Sequence, residues 1–145
     1  MKLIPRNKYQ QILKALPILC VDVVARNTQG RYLLIKRLNP PKKNKWWVIG
    51  GRVHKGEPLK KAVERKVKEE AGLQVKNIEP IGYFELLNDI NPFGSAFKYH
   101  TVSVVFKADI DGKKAVKLDN QSAGYKFSKK LPADFYIKSF KGESF

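Results

Sequence analysis

Apolar and polar positions change period several times along this chain, and each change marks an element. Tyr9, Ile12 and Leu13 share one side of a helical spacing, which predicts a short helix over residues 8–15. Pro17 then opens a continuous apolar run over residues 18–25, the mark of a strand buried on both faces. Asn27-Thr28-Gln29-Gly30 is a turn, and residues 32–36 return as a strand, so the two predict a hairpin. After a loop at residues 39–45, a short strand over residues 46–49 ends at Gly50-Gly51. Pro58 suits the first turn of a helix, where its missing N–H costs nothing. Leu59, Ala62, Val63, Val67 and Ala71 then form an apolar stripe of helical period, and Gly72 is placed to stop it. Residues 78–87 and 99–110 read as longer strands, separated by a loop containing Asn91-Pro92-Phe93-Gly94. Residues 125–127 read as a last short strand and residues 132–140 as a terminal helix. Strands with helices scattered among them predict an α/β fold, a mixed β-sheet in an α/β/α sandwich with the helices outside.

Composition narrows the class. The 145 residues suit one domain over residues 1–145, and the hydrophobic share of 43% is ordinary for a globular chain. No apolar run approaches the roughly 20 residues of a membrane span. The opening residues pass directly into polar Asn7-Lys8-Tyr9-Gln10-Gln11, without the apolar stretch of a signal peptide. A lone Cys20 inside the apolar run reads as a reduced core thiol, so a cytoplasmic setting is expected. The net charge of +16 attracts phosphate-bearing partners. RNA is one of them, but the lysines are spread along the chain and do not interleave with aromatics as on an RNA-reading sheet. A solvated basic surface is therefore the favoured reading.

The chemistry concentrates after the glycine pair. Gly51, Glu57, Arg65, Val67, Glu69, Glu70, Gly72 and Leu73 stand at fixed spacing. Glycines let the backbone approach phosphate or metal closely. On a helix, Lys66 shares a face with Glu70, and Arg65 with Glu69. Those pairs alone fit an ordinary amphipathic helix laced with ion pairs. The glycines and Glu57 in register point further, to a turn and helix that present carboxylates to a polyanion through a hard divalent cation. The spacing resembles the Nudix box, G-x5-E-x7-R-E-U-x-E-E-x-G-U with U aliphatic, the signature of hydrolases acting on nucleoside diphosphates linked to another group. One position departs from it, because Lys66 stands where the box has a glutamate.

Within that family, residues 33–40, Trp47, Gly50 to Val53, Tyr9, Pro17 and Asp22 resemble the GDP-mannose mannosyl hydrolase branch, over about residues 3–135. The resemblance implies cleavage of the sugar C1–O bond with inversion, releasing GDP and free sugar. It implies Mg2+ held by the Gly50 carbonyl, Glu70 and Gln121, with Glu69 as an extra carboxylate. That branch also tolerates a non-glutamate at the place of Lys66. Arg37 matches the arginine that grips the diphosphate, Arg52 the arginine beside the glycines, and Asp22 a sugar-contacting carboxylate. Arg37, Arg52 and Glu70 are thus the expected catalytic residues. Tyr9, Asp22, Arg37 and Arg52 are the expected substrate contacts, Tyr9 lying near the base. A homodimer is expected from the same resemblance, and no membrane partner.

Departures bear on the activity. Ser122 follows Gln121 where the branch has a general-base histidine, and losing such a base costs roughly 10²–10⁴-fold in rate. Leu86, Asn88 and Thr101 replace a histidine and two tyrosines, His100 is retained, and His54 reads as an incidental turn residue. The sugar is therefore left open, with Glu69 and Asp22 as candidate bases. Three readings stand: a GDP-sugar hydrolase of slow or altered turnover; a Nudix pyrophosphatase using Glu69 and Glu70, against which Lys66 argues; and a catalytically silent module binding nucleotide or RNA.

Overall fold

One strand organises the molecule. In the computed structural model, which describes residues 3–89, 97–111 and 113–143, strand β1 (Ile18–Arg26) has three strand neighbours. It runs parallel to β6 (Tyr99–Ile110), from Ile18 opposite Thr101 to Arg26 opposite Asp109. It is antiparallel to β4 (Ile49–Arg52), with Asp22 opposite Gly50 and Cys20 opposite Arg52. It meets β2 (Tyr32–Arg37) only at Arg26 and Tyr32, beside the turn. The expected hairpin therefore closes at its base and then splits, because β4 takes the edge that β2 leaves.

The remaining strands extend the mixed sheet. β2 pairs with β3 (Trp46–Trp47) and with β7 (Ser122–Ser128). β6 pairs with the long β5 (Val75–Asp89), whose outer edge takes the two-residue β8 (Lys138–Ser139). The short strand expected over residues 46–49 is thus two strands, broken at Val48, which serve different neighbours. The loop containing Asn91-Pro92-Phe93-Gly94 lies outside the described residues.

Alternation along β1 and β6 sorts side chains to the two faces. One face carries Val21, Val23, Ala25, Phe106 and Ala108, packed against α2 (Leu59–Ala71) through Ala62, Val63, Val67 and Ala71. This helix follows its sequence closely. The Pro58 carbonyl accepts the first helical bonds from Lys61 and Ala62, and Gly72 closes the end at φ +68°, in the left-handed region glycine tolerates.

The other face has two apolar patches. Tyr9 and Leu13 of α1 (Arg6–Ala15) cover Ile18, Cys20 and Tyr99. The C-terminal segment covers Val24, Leu34, Trp47, Phe84 and Val105 with Phe135. That segment is not the expected helix over residues 132–140. A turn at residues 133–134 and an extended stretch lead into β8, and Phe135 and Ile137 alternate inward as strand residues do. Among the described residues the fold is a mixed sheet with two helices, and none is long and apolar enough to cross a membrane. Between the patches of α1 and Phe135 lie Asp22, Thr101 and Ser103, buried polar residues in an otherwise apolar sheet.

Candidate active site

A cleft of about 1040 Å³ opens over that polar stripe and runs to the glycines of β4 and the last turns of α2. Its floor depends on the absence of side chains. A Cβ on Gly50 would collide with the Asp22 carboxylate and lie 2.6 Å from the Val21 carbonyl. A Cβ on Gly51 would lie 2.8 Å from Cε of Lys66. Gly50 therefore seats Asp22, and Gly51 seats the stem of Lys66.

Asp22 is 8% exposed. Burial raises its carboxyl to a pKa of about 6. The Ser103 hydroxyl, which hydrogen-bonds to it, and the nearby Arg37 offset part of the rise, while Glu70 adds to it. Arg37 is fixed from behind, its Nε donating to the Pro41 carbonyl at 2.9 Å. Arg52 lies over the ring of Tyr9 at 4.4 Å, a cation–π contact joining α1 to the glycine strand. Asp22, Arg37, Arg52 and Tyr9 all line the one cleft.

The loop between β4 and α2 is clamped by Glu57. Its oxygens accept from Nε and Nη2 of Arg65 at 2.7 and 2.9 Å, and one also accepts from the His54 amide at 2.9 Å. Arg65 Nη2 donates further to the Arg52 carbonyl at 3.0 Å. The Arg65 hydrogen bonds lead in holding the Glu57 carboxyl down at about 2, well below its ordinary range. These two box residues thus build the loop, while Glu69, half exposed, turns toward Arg65 and Lys66.

At the centre, Lys66 Nζ stands 2.7 Å from Oε1 of the buried Glu70 and 3.4 Å from Oε2 of Glu69. Burial raises the Glu70 carboxyl above its ordinary range, and the Lys66 ammonium pulls it back. Asp119 also raises it, a neighbour no motif flags because it sits in irregular chain before β7. The Gln121 amide donates to Asp119 at 3.0 Å, and its carbonyl accepts from Leu38 at 3.0 Å, which brings Gln121 and Ser122 to the cleft wall. Leu86 and Thr101 face each other across β5 and β6 and line the same cleft. His100 falls between Tyr99 and Thr101 on the opposite face, with its Nε2 buried and without a hydrogen-bond partner among the described residues. The side chain of Asn88 lies outside the described residues. His54 also lines the cleft, with Nδ1 4.0 Å from Glu57.

Residues 16–133 match the family model of the NUDIX domain. The chain belongs to the Nudix family. It is 32% identical over 108 residues to the low-salt glycan biosynthesis protein Agl8 of Haloferax volcanii, covering 74% of this chain and 69% of that protein. It is 36% identical over 106 residues to the ADP-ribose pyrophosphatase of Methanocaldococcus jannaschii, covering 73% of this chain but 57% of the relative, little more than half that enzyme's length. The MutT NUDIX hydrolase of Burkholderia pseudomallei shares the fold, with a TM-score of 0.67 at 23% identity over 83% of this chain and 91% of that chain.

Nudix hydrolases generally use a divalent metal. The donors expected for one here, Gly50, Glu70 and Gln121, do line a common cleft. As arranged, they do not suit a divalent ion. Their one carboxylate, Glu70, already holds the Lys66 ammonium at 2.7 Å. Around them, the described residues offer no group of three or more acidic, histidine or cysteine side chains placed to hold a metal.

Proposed function

We propose that this Nudix chain hydrolyses a nucleoside diphosphate sugar at the sugar C1–O bond. The observation that carries the reading is one cleft lined by both cations and a buried carboxylate. Arg37, Arg52 and Lys66 gather beside the glycine turn, while the buried Asp22 and its Ser103 partner lie on the floor. Cations of this kind suit a diphosphate, and a guanidinium fork can take two of its oxygens at once. A carboxylate among apolar walls suits sugar hydroxyls and an attacking water.

In this reading water attacks the anomeric carbon, the C1–O bond breaks, and its electron pair leaves with the nucleoside diphosphate. Arg37 and Arg52 stabilise the charge that develops on the leaving group. The water proton passes to a carboxylate. Asp22 is favoured over Glu69, because Glu69 is half exposed and engaged by Arg65 and Lys66. An Asp22 that titrates at about 6 is a base near neutral pH, a role the neutral Ser122 does not fill. The names of two relatives, one a glycan biosynthesis protein and one an ADP-ribose pyrophosphatase, support a sugar-linked diphosphate as substrate.

The second relative also favours attack at phosphorus. Incubation with GDP-mannose and ADP-ribose in oxygen-18 water separates the two reactions. Label in the released sugar is the expected result. Label in the phosphate would replace this reading with a pyrophosphatase. No turnover, even after Ser122→His, would leave a binding module.

A further inference from the structure

We propose that the Lys66 ammonium is a built-in cation at the position of the family's divalent metal, so that nucleoside diphosphate binding to this chain needs no metal. The inference rests on the diphosphate reading above and specifies how that group is held.

Three observations converge on Lys66. Its side chain is 14% exposed, although lysine is ordinarily a solvated residue. Its stem lies against Gly51, where a Cβ would stand 2.8 Å from Cε, so the glycine turn is shaped around this lysine. Its ammonium bridges Glu70 at 2.7 Å and Glu69 at 3.4 Å, the two carboxylates closing the box. An ammonium has three N–H donors. Two carboxylates stand within ion-pair distance of it, fewer acceptors than it has donors. The ammonium is available to a phosphate oxygen in the cleft that Lys66 lines.

Charge favours the same assignment. A divalent ion binding Glu70 would stand next to the ammonium, and like charges at that separation repel strongly in a partly dry cleft. Evicting the ammonium would withdraw it from both carboxylates. With Lys66 in place, Glu70 already has a counter-charge at 2.7 Å, and Arg37 and Arg52 complete the positive rim facing the diphosphate. The single charge of lysine supplies less than a metal, which fits a site whose main task is to grip the diphosphate while the sugar reacts.

Calorimetric titration of GDP into the protein, in EDTA and again in magnesium, tests this together with manganese titration followed by electron paramagnetic resonance. Wild-type protein should bind GDP with affinities agreeing within about tenfold in the two conditions. Lys66→Met should lose about 10–100-fold in EDTA. Lys66→Glu should bind manganese at least about tenfold more tightly than wild type, having gained a carboxylate and lost the competing charge. GDP binding that requires magnesium would overturn the inference and leave the substrate reading standing. Manganese binding as tight in wild type as in Lys66→Glu would also overturn it. Absence of GDP binding in both conditions would instead sink the substrate reading, and the manganese titration, which needs no nucleotide and no folded methionine variant, would then decide the inference alone.

Discussion

Glu57 and Arg65, eight residues apart, meet through two hydrogen bonds of 2.7 and 2.9 Å, one to Nε and one to Nη2. This fork ties the glycine loop to the middle of α2 and so fixes where the cleft's cations stand. Because Arg65 Nη2 also holds the Arg52 carbonyl, loop position and Arg52 position are one quantity.

That fork gives stability a pH dependence. The folded carboxyl of Glu57 titrates at about 2 against an ordinary 4.5. Its contribution is therefore complete above 4.5 and is lost as pH falls toward 2. Glu57→Gln should cost on the order of 1–2 kcal/mol at neutral pH, allowing for solvent screening, and the gap to wild type should shrink in acid. Urea unfolding of both proteins across that range measures it, and a gap that ignores pH would refute the assignment.

Asp22 acts with the opposite sign. Its folded value of about 6 lies above the ordinary 3.8, so wild-type stability falls as pH rises between them. Relative to wild type, Asp22→Asn should gain on the order of 1–3 kcal/mol across that window. Turnover in wild type should climb with a limb centred on the folded value of about 6, and the variant should lose that limb. A variant that kept the limb would remove Asp22 from the role of base.

Arg37 and Arg52 should separate in their effects. Arg37→Ala should weaken GDP binding about 10–100-fold, since it loses charge-assisted hydrogen bonds to the ligand, and should lower the melting temperature only by the loss of its hydrogen bond to the Pro41 carbonyl and its charge beside Asp22. Arg52→Ala should weaken binding and also lower the melting temperature, because its guanidinium covers the Tyr9 ring at 4.4 Å. Equal melting temperatures for the two variants would contradict the packing role of Arg52.

Phe135 should be worth more than its place in irregular chain implies. It is 6% exposed and packs edge-on to Trp47 at 5.2 Å and against Phe84 at 5.0 Å. Phe135→Ala should cost about 3–5 kcal/mol and shift tryptophan emission to longer wavelength as Trp47 meets water. A small cost with unchanged emission would mean that the segment is not packed there.

The parts written in short-range pattern were legible in the sequence. The apolar stripe from Leu59 to Ala71, bounded by Pro58 and Gly72, is the observed α2, and the spacing of Lys66 and Glu70 is an observed contact. Parts depending on distant partners were not. Residues 132–140 contain apolar positions compatible with a helix, but Phe135 and Ile137 answer to Trp47 and the β5 edge, and their alternation is the strand signal that helical spacing obscured. The hairpin between β1 and β2 is present beside its turn, but its splitting beyond Arg26 and Tyr32 was not legible, because nothing local says that β4 will claim β1. In the site, Tyr9, Asp22, Arg37, Arg52, Gly50, Glu70 and Gln121 do share one cleft. The fork from Glu57 to Arg65 and the influence of Asp119 on Glu70 emerge only when loop and helix are placed together.

The contact between Gly51 and the Lys66 stem makes the charge state of this cleft adjustable by shape alone. A single methyl at position 51, where φ is +157° and any side chain strains the backbone, would also press on Cε of Lys66 at 2.8 Å, and Cε, near the end of a flexible chain, would have to shift. The ammonium would be shifted relative to Glu70 and Glu69 without any ionisable group being changed. Gly51 is therefore a steric control on an electrostatic site, and the simplest place from which selection or design could hand Glu70 back to another cation.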